Sequence, residues 1–302
     1  MSRNDEREEK ELLNFTPDPI AFSVLGFGIR WYAILVCSGI ILASAIAILR
    51  IPRRNISRDD ALDVILFSVP MCIIGARAWY VFFERANYHN ILEMINIRAG
   101  GLAFHGGLLA GLLTVFIVCR VKHISFLDCM DTALPCIALG QAIGRWGNFF
   151  NQEAYGTPTN LPWAITIGGE QVHPTFLYES VWCLLLFIIL SLVDRKKSFR
   201  GQTMSLYLIL YSAERFLVEQ LRTDSLLAGP EKLVMALKSA GLDPSGVDGV
   251  LHLGPFLVYP FRTAQAFSLG AILLGLLLYV ILRAVRVPAP EPLPTEEAAE
   301  EG

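Results

Sequence analysis

From Trp31 to Leu49 the chain runs nineteen residues without a charged side chain. As an α-helix, such a stretch is long enough to cross a hydrocarbon core of about 30 Å. A backbone in lipid must satisfy its own N–H and C=O groups, which a helix does within one segment. The apolar character reaches backwards through Pro19 to Gly28, so the same span is expected to extend that way. Six further apolar segments follow, at roughly Ala61 to Phe83, Gly106 to Cys119, Phe126 to Ile143, Thr175 to Val193, Met204 to Leu221 and Ala264 to Leu282. Composition agrees: 54% of the 302 residues are hydrophobic and 18% charged, whereas a soluble domain carries about 25% charged residues. A soluble enzyme is excluded, and so is disorder over most of the length.

The expected fold is therefore an all-α integral membrane protein with about seven transmembrane helices. The third segment is short, and Gly100, Gly101, Gly106 and Gly107 flank His105 just before it. Glycine pairs let irregular backbone enter beside a protected cavity, so a partly re-entrant glycine-rich element is expected there.

Basic residues set the orientation. The connections after the first, third, fifth and seventh segments hold Arg50, Arg53, Arg54 and Arg58, then Arg120 and Lys122, then Arg195, Lys196, Lys197 and Arg200, then Arg283 and Arg286. The opposite connections hold half as many, namely Arg85, Arg98, Arg222, Lys232, Lys238 and Arg262. With the richer side in the cytoplasm, the N-terminus is outside and the C-terminus cytoplasmic. The first apolar stretch is too long and too far from the start for a cleavable signal, so it is expected to stay as an anchor. Three regions result: a polar N-terminal segment, 1–18; a seven-span membrane domain, 19–286, with an outward loop at 223–261; and an acidic, proline-containing cytoplasmic tail, 287–302, whose composition does not pack a core. The net charge of −3 points to no nucleic acid.

The six cysteines all lie in apolar segments with no CxxC pair, and read as small buried hydrophobes. The five histidines are scattered without zinc spacing, so no metal and no cofactor are expected.

Charged groups inside apolar spans cost roughly 2.5–3.5 kcal/mol each on insertion scales, and those that remain are the first suspects for function. Arg30 and Arg77 lie near span ends and can snorkel to the headgroups. Arg145 and Arg215 lie deeper. Around Arg145 the run GRWGNFFNQEAYG (144–156) brings a guanidinium, the carboxamides of Asn148 and Asn151, and Glu153 to the end of an apolar helix. Gly144 and Gly147 admit another group to the backbone, and a fork of N–H donors suits a phosphate. A plain reading stands beside this one: a helix cap in which Arg145 pairs with Glu153. Tyr211, Arg215, Glu219 and Arg222 fall on one helical stripe, either an anion-binding face or a self-neutralised packing stripe. His105, between glycine pairs, is the natural proton acceptor, or else a satisfied hydrogen-bonding residue. His173 to Glu179 opens the fifth span, with Tyr178 and Glu179 buttressing neighbours or meeting substrate.

Taken together, GRWGNFFNQEAYG (144–156), GGLAFHGG (100–107), HPTFLYE (173–179), IRWYAI (29–34) and YSAERFLVEQLR (211–222) resemble the bacterial prolipoprotein diacylglyceryl transferases. The resemblance runs in order from about Pro19 to Leu221 and takes in the final span. Two departures stand out: the loop from Thr223 to Phe261 is long, and the last span opens Thr263-Ala264-Gln265 where the family usually has methionine-glycine-glutamine.

The resemblance implies a seven-span enzyme of the bacterial cytoplasmic (inner) membrane, with its N-terminus outside and its active site towards the outer face. It implies transfer of the diacylglyceryl group of phosphatidylglycerol to the lipobox cysteine thiol of a preprolipoprotein, giving a thioether and glycerol phosphate. On the residues of this chain, Arg145 and Arg215 would bind the phosphate, and Asn148, Asn151 and Tyr32 the glycerol headgroup, with Gly144 and Tyr211 beside them. Glu153 and Glu219 would orient the arginines, and His105, Glu153 or a water chain would take the thiol proton. Arg222, His173, Tyr178, Glu179 and Arg77 would support the site. The competing reading is a transporter or flippase for anionic lipids or solutes, because intramembrane arginines also mark permeation paths.

Overall fold

The computed structural model describes residues 17–24, 26–85, 88–97, 100–223, 251–252, 258–259 and 263–285. Almost all of the polar N-terminal segment, the acidic tail and most of the 223–261 loop lie outside these residues, as do Arg98, Arg262 and Arg286. Among the described residues seven helices have 18 residues or more: α1 Trp31–Arg50, α2 Arg58–Phe83, α4 Phe104–Val121, α5 Phe126–Asn151, α6 Thr175–Arg195, α7 Gln202–Glu219 and α8 Thr263–Ala284. A five-residue helix, α3 (Ile91–Ile95), precedes α4. Six of the seven long helices are long and apolar enough to cross a membrane. The exception, α7, carries Glu214, Arg215 and Glu219. The chain is thus mostly helical and has the character of an integral membrane protein.

One expectation at the start is overturned. Residues before Trp31 do not extend the first span; they form a hairpin, β1 (Ile20–Val24) against β2 (Phe27–Arg30), with Val24 opposite Phe27. Gly26 takes φ +83 in the turn, a conformation open to glycine. The Trp31 N–H donates to the Pro19 carbonyl at 3.0 Å, tying the hairpin to the first turn of α1. Hydropathy alone does not distinguish an apolar hairpin from an apolar helix.

The chain divides into two compact units, residues 44–133 in one and those up to 43 and from 134 in the other, leaving aside the tail. In the 44–133 unit, α2 begins at an N-cap Ser57, whose hydroxyl accepts from Asp60 N–H at 3.0 Å, with Asp59 and Asp60 in the first turn. Helices α2 and α4 approach through small residues. A Cβ on Gly106 would collide with Trp79 Cβ and the Gly75 carbonyl, and one on Gly111 with Cys72 Sγ. Close helix contact through glycine is how apolar helices associate where the hydrophobic effect gives no drive. Ile51, Ile56, Ala61, Cys119 and Cys129 form a buried cluster at the end of these helices. Nearby, Lys122 pairs with Asp60 at 3.2 Å and with Asp63.

Arg77 differs from the sequence expectation. Instead of snorkelling it is buried, 7% exposed, and donates to four backbone carbonyls: Met94 (2.7 Å), Glu93 (2.8 Å), Gly100 (2.7 Å) and Gly101 (3.0 Å). A planar fork with five donors fits the Glu93 and Met94 carbonyls of α3 together with those of the glycine pair that follows. Gly100 and Gly101, at φ +85 and +78, turn those carbonyls inward. Beyond them α4 is a continuous 18-residue helix, so the irregular backbone is confined to the approach.

In the other unit α1 crosses α5 at Gly39 and Gly140; a Cβ on Gly39 would lie 2.9 Å from the Gly140 carbonyl. Helices α5 and α6 are joined by Ser180, whose hydroxyl donates to the Ala142 carbonyl (2.8 Å) and accepts from Trp146 Nε1 (3.1 Å). Trp182 Nε1 donates to the Leu210 carbonyl (3.2 Å), linking α6 to α7. The fully buried Gln265 of α8 reaches the Phe216 carbonyl of α7 (3.5 Å), which gives the atypical opening of the last helix a packing role. A second hairpin, β3 (Ile165–Ile167) and β4 (Glu170–Val172), turns on Gly168 and Gly169, both at positive φ.

Candidate active site

The centre of the site is a carboxylate between two guanidiniums. Glu179, in the second turn of α6 and 3% exposed, accepts from Arg145 of α5 at 2.6 Å on Oε2 and from Arg215 of α7 at 2.7 Å on Oε1. Arg215 also donates to Glu219, one turn on, at 2.6 Å. Three helices are thereby joined by four charges that sum to zero. The arginine side chains are 21% and 19% exposed, while the two carboxylates are nearly closed off. Each guanidinium has five N–H donors. The pairs with Glu179 and Glu219 use one amino group of Arg145 and two of Arg215, so donors remain for an anion.

The carboxylate paired with both arginines is Glu179. Glu153 instead accepts from Asn148 Nδ2 (2.9 Å) and Asn151 Nδ2 (3.2 Å). The backbone explains why. Helix α5 ends at Asn151, and Gln152 and Ala154 adopt φ 50 and 58, left-handed values that cost a non-glycine residue on the order of 1 kcal/mol or more. That turn folds Glu153 back onto the last helical turn, where its N–H donates to the Asn148 carbonyl at 3.0 Å. Thr175 Oγ1 donates to the Ala154 carbonyl and fixes the turn against the start of α6.

Gly144 and Gly147 have different surroundings. A Cβ on Gly147 would strike the Tyr32 ring at 2.7 Å, so this glycine makes room for Tyr32. At Gly144 the nearest such contact is Val36, at 3.9 Å. The Tyr32 side chain is 40% exposed. Trp31 stacks on Phe150 at 5.2 Å and holds the start of α1 beside the end of α5.

Tyr211 stacks on Tyr207, with centroids 5.4 Å apart and 3° between planes, and the Tyr207 hydroxyl donates to Gln141 Oε1 at 2.9 Å. Arg222 lies past the end of α7, bridged to Gly156, while Thr157 N–H donates to the Leu221 carbonyl at 2.7 Å. Gly156 is squeezed there: a Cβ would sit 2.6 Å from His173 Cβ and 3.0 Å from the Leu221 carbonyl. His173 Nδ1 shares a hydrogen bond with the Tyr178 hydroxyl (3.2 Å), which also accepts from Trp163 Nε1 (2.9 Å). His173, Tyr178 and Arg222 thus anchor a strap over the ends of α6 and α7.

The structure therefore brings Arg145, Glu179, Arg215 and Glu219 into one cluster, with Asn148, Asn151 and Glu153 as a second polar group one turn along α5. His105 and Arg77 belong to the 44–133 unit. His105 is exposed in the first turn of α4, its ring edge-on to Phe104 at 5.9 Å. Two features go beyond the sequence reading. Glu179 is expected there as a supporting residue that buttresses neighbours or meets substrate, and the structure makes it the shared partner of both arginines. Glu214, adjacent to Arg215 and off the polar stripe, gave no signal at all.

The model of the prolipoprotein diacylglyceryl transferase family matches residues 19–281. The chain belongs to this family. A Finegoldia magna protein named phosphatidylglycerol–prolipoprotein diacylglyceryl transferase is 52% identical over 214 residues, which cover 70% of this chain and 86% of the relative. Proteins of the same name from Clostridioides difficile and Bacillus cytotoxicus are 45% and 44% identical, over 74% of this chain and 91% and 88% of their own lengths. The family match spans the first six long helices whole and α8 as far as Ile281, and Arg145, Glu179 and Arg215 all fall within it.

Proposed function

We infer that this chain transfers the diacylglyceryl group from phosphatidylglycerol to the lipobox cysteine thiol of preprolipoproteins, forming a thioether and releasing glycerol phosphate. The observation that carries the inference is the pair of guanidiniums from α5 and α7, fixed by one buried carboxylate within the matched family region.

In the reaction the thiolate sulfur attacks the glyceryl carbon that bears the phosphate ester. The C–S bond forms as the C–O bond breaks, and the electron pair goes to the phosphate oxygen. The thiol proton ends, through a base and solvent, on glycerol phosphate. The phosphodiester anion meets the remaining donors of Arg145 and Arg215, which stabilise the charge that grows on the departing phosphate. Fixed donors in a water-poor site do this without reorganising. Asn148, Asn151 and Tyr32 take the glycerol headgroup near Gly144, with Tyr211 lining the arginine side. His105 is the proposed base for the thiol, because an ordinary cysteine, pKa about 8.5, is mostly protonated at neutral pH; Glu153 or a water chain is the alternative. Glu219, Arg222, His173, Tyr178 and Glu179 hold the arginine side in place, and Arg77 holds the glycine run that leads to His105.

The same reading makes α7 a seventh span, its charges turned to protein, with a partly re-entrant approach to α4 at the glycine run. The excess of basic residues on one set of connections supports an outside N-terminus, a cytoplasmic C-terminus and a site towards the outer face.

The test is direct. The purified chain in detergent is incubated with phosphatidylglycerol and a synthetic lipobox peptide, and peptide mass and glycerol phosphate are followed. Wild type should add one diacylglyceryl group, and Arg145→Ala should be slower by about 100- to 1,000-fold, the usual loss for one charge-stabilising donor. An adduct formed equally fast by Arg145→Ala overturns the phosphate placement, and no adduct from wild type overturns the transferase reading.

A further inference from the structure

Helix α4 meets α2 through its glycines, and another of its faces carries an ordered apolar pattern. Leu109, Leu112, Leu113 and Phe116 fall at i, i+3, i+4 and i+7, so they share one helical stripe. All of them are exposed. With Phe126 from the start of α5 they line a groove of about 440 Å³, in which the Phe116 and Phe126 rings meet edge to face at 5.7 Å. Its size is that of an ordinary ligand pocket, about 300–1,000 Å³, yet its walls hold no charged or hydrogen-bonding side chain. The stripe ends on a cation. Arg120, exposed in the last turn of α4, lays its guanidinium over Phe116, 5.6 Å from the ring centre. The carboxylates of Asp60 and Asp63 are taken by Lys122, two residues on, and among the described residues no carboxylate pairs with Arg120.

We propose that this groove binds one acyl chain of an anionic phospholipid, whose phosphate meets Arg120. The wholly apolar lining is what a hydrocarbon chain requires. Length fits as well. From Leu109 to Arg120 the helix rises about 16 Å, at 1.5 Å per residue, and one leaflet supplies half of a hydrocarbon core of about 30 Å. A chain laid along the stripe from the middle of the bilayer therefore reaches its headgroup at the guanidinium. The cation then selects for charge. An arginine fork suits a phosphate, and a headgroup of net negative charge keeps the whole of that attraction, whereas a zwitterionic one offsets it with its own ammonium. This lipid is distinct from a donor lipid in its reacting position, because Arg120 and His105 lie at opposite ends of α4. The proposal goes beyond the transferase reading and needs only the membrane character of the chain.

Tryptophan fluorescence quenched by brominated lipid chains reads the groove locally. Leu113→Trp reports from the groove, and Ile41→Trp, on an exposed part of α1, is the control. Each full-length variant is placed in phosphatidylcholine bilayers that contain either dibrominated phosphatidylglycerol or dibrominated phosphatidylcholine, and the signal of the five native tryptophans, measured on wild type, is subtracted. At Leu113→Trp the anionic lipid should be preferred about five-fold, which corresponds to ~1 kcal/mol for one arginine at an anionic surface. Adding Arg120→Gln should bring that preference close to one and leave the Ile41→Trp signal unmoved. The proposal is overturned if Leu113→Trp shows no anionic preference, or if Arg120→Gln leaves the preference intact. It is equally overturned if neither brominated lipid quenches Leu113→Trp, since protein, such as a second copy of the chain, would then cover the groove. No lipobox peptide is present, so the outcome is separate from adduct formation, on which the transferase reading stands or falls.

Discussion

Removing the shared carboxylate tests the architecture most sharply. Glu179 is 3% exposed and lies 2.6 Å from Arg145 and 2.7 Å from Arg215. Taking away one partner of a buried ion pair costs about 3–5 kcal/mol, chiefly because a charge is left uncompensated. Here Arg145 remains about one-fifth exposed and Arg215 keeps Glu219, so the expected cost of Glu179→Ala is ~2–3 kcal/mol. For a domain of this size class that lowers the unfolding temperature by about 4–12 °C. Glu179→Gln should recover only part of the loss. Its carboxamide keeps one acceptor oxygen for one arginine but turns an N–H2 donor towards the other. The assay is thermal unfolding in detergent for Glu179→Ala, Arg145→Ala and the double variant. If Glu179 holds Arg145, the two losses should fall short of additive by ~0.5–3 kcal/mol. Additivity within about 0.5 kcal/mol would refute the claim that the two residues act as a pair.

Two further expectations follow from the 44–133 unit. Gly106→Ala places a Cβ against Trp79 and the Gly75 carbonyl, and should destabilise by about 1–3 kcal/mol as the α2–α4 crossing opens; wild-type stability in the same melt would show that the crossing is looser than described. Arg77→Lys keeps the charge but loses the fork that serves four carbonyls. Amide hydrogen exchange at residues 91–97 and 100–101 should therefore rise, and unchanged protection there would mean that Arg77 does not order them.

Much of the molecule is legible in the sequence because membrane insertion imposes a simple grammar. The uncharged run at Trp31–Leu49 dictates a helix, and the helical bounds of the later spans differ from the apolar segments mainly in reaching further into polar ends, as α5 does through Arg145 to Asn151. The arginines stand out for the same reason, since a charge in an apolar segment must be there for a partner or a ligand. The hairpin before Trp31 was not legible, because alternation and helical periodicity blur in a short apolar stretch broken by glycine and proline.

The sequence by itself determined the membrane helices, the family motifs and the candidate charges. Which charge meets which was decided only by tertiary structure. Glu153 is eight residues from Arg145 and Glu179 is thirty-four away, yet the left-handed turn at Gln152 and Ala154 sends Glu153 to the carboxamides, and the packing of α6 between α5 and α7 delivers Glu179 to both arginines. Likewise, nothing local marks Glu214 as unpartnered: a carboxylate's partners are set by the helices around it, and those become neighbours only when the chain folds.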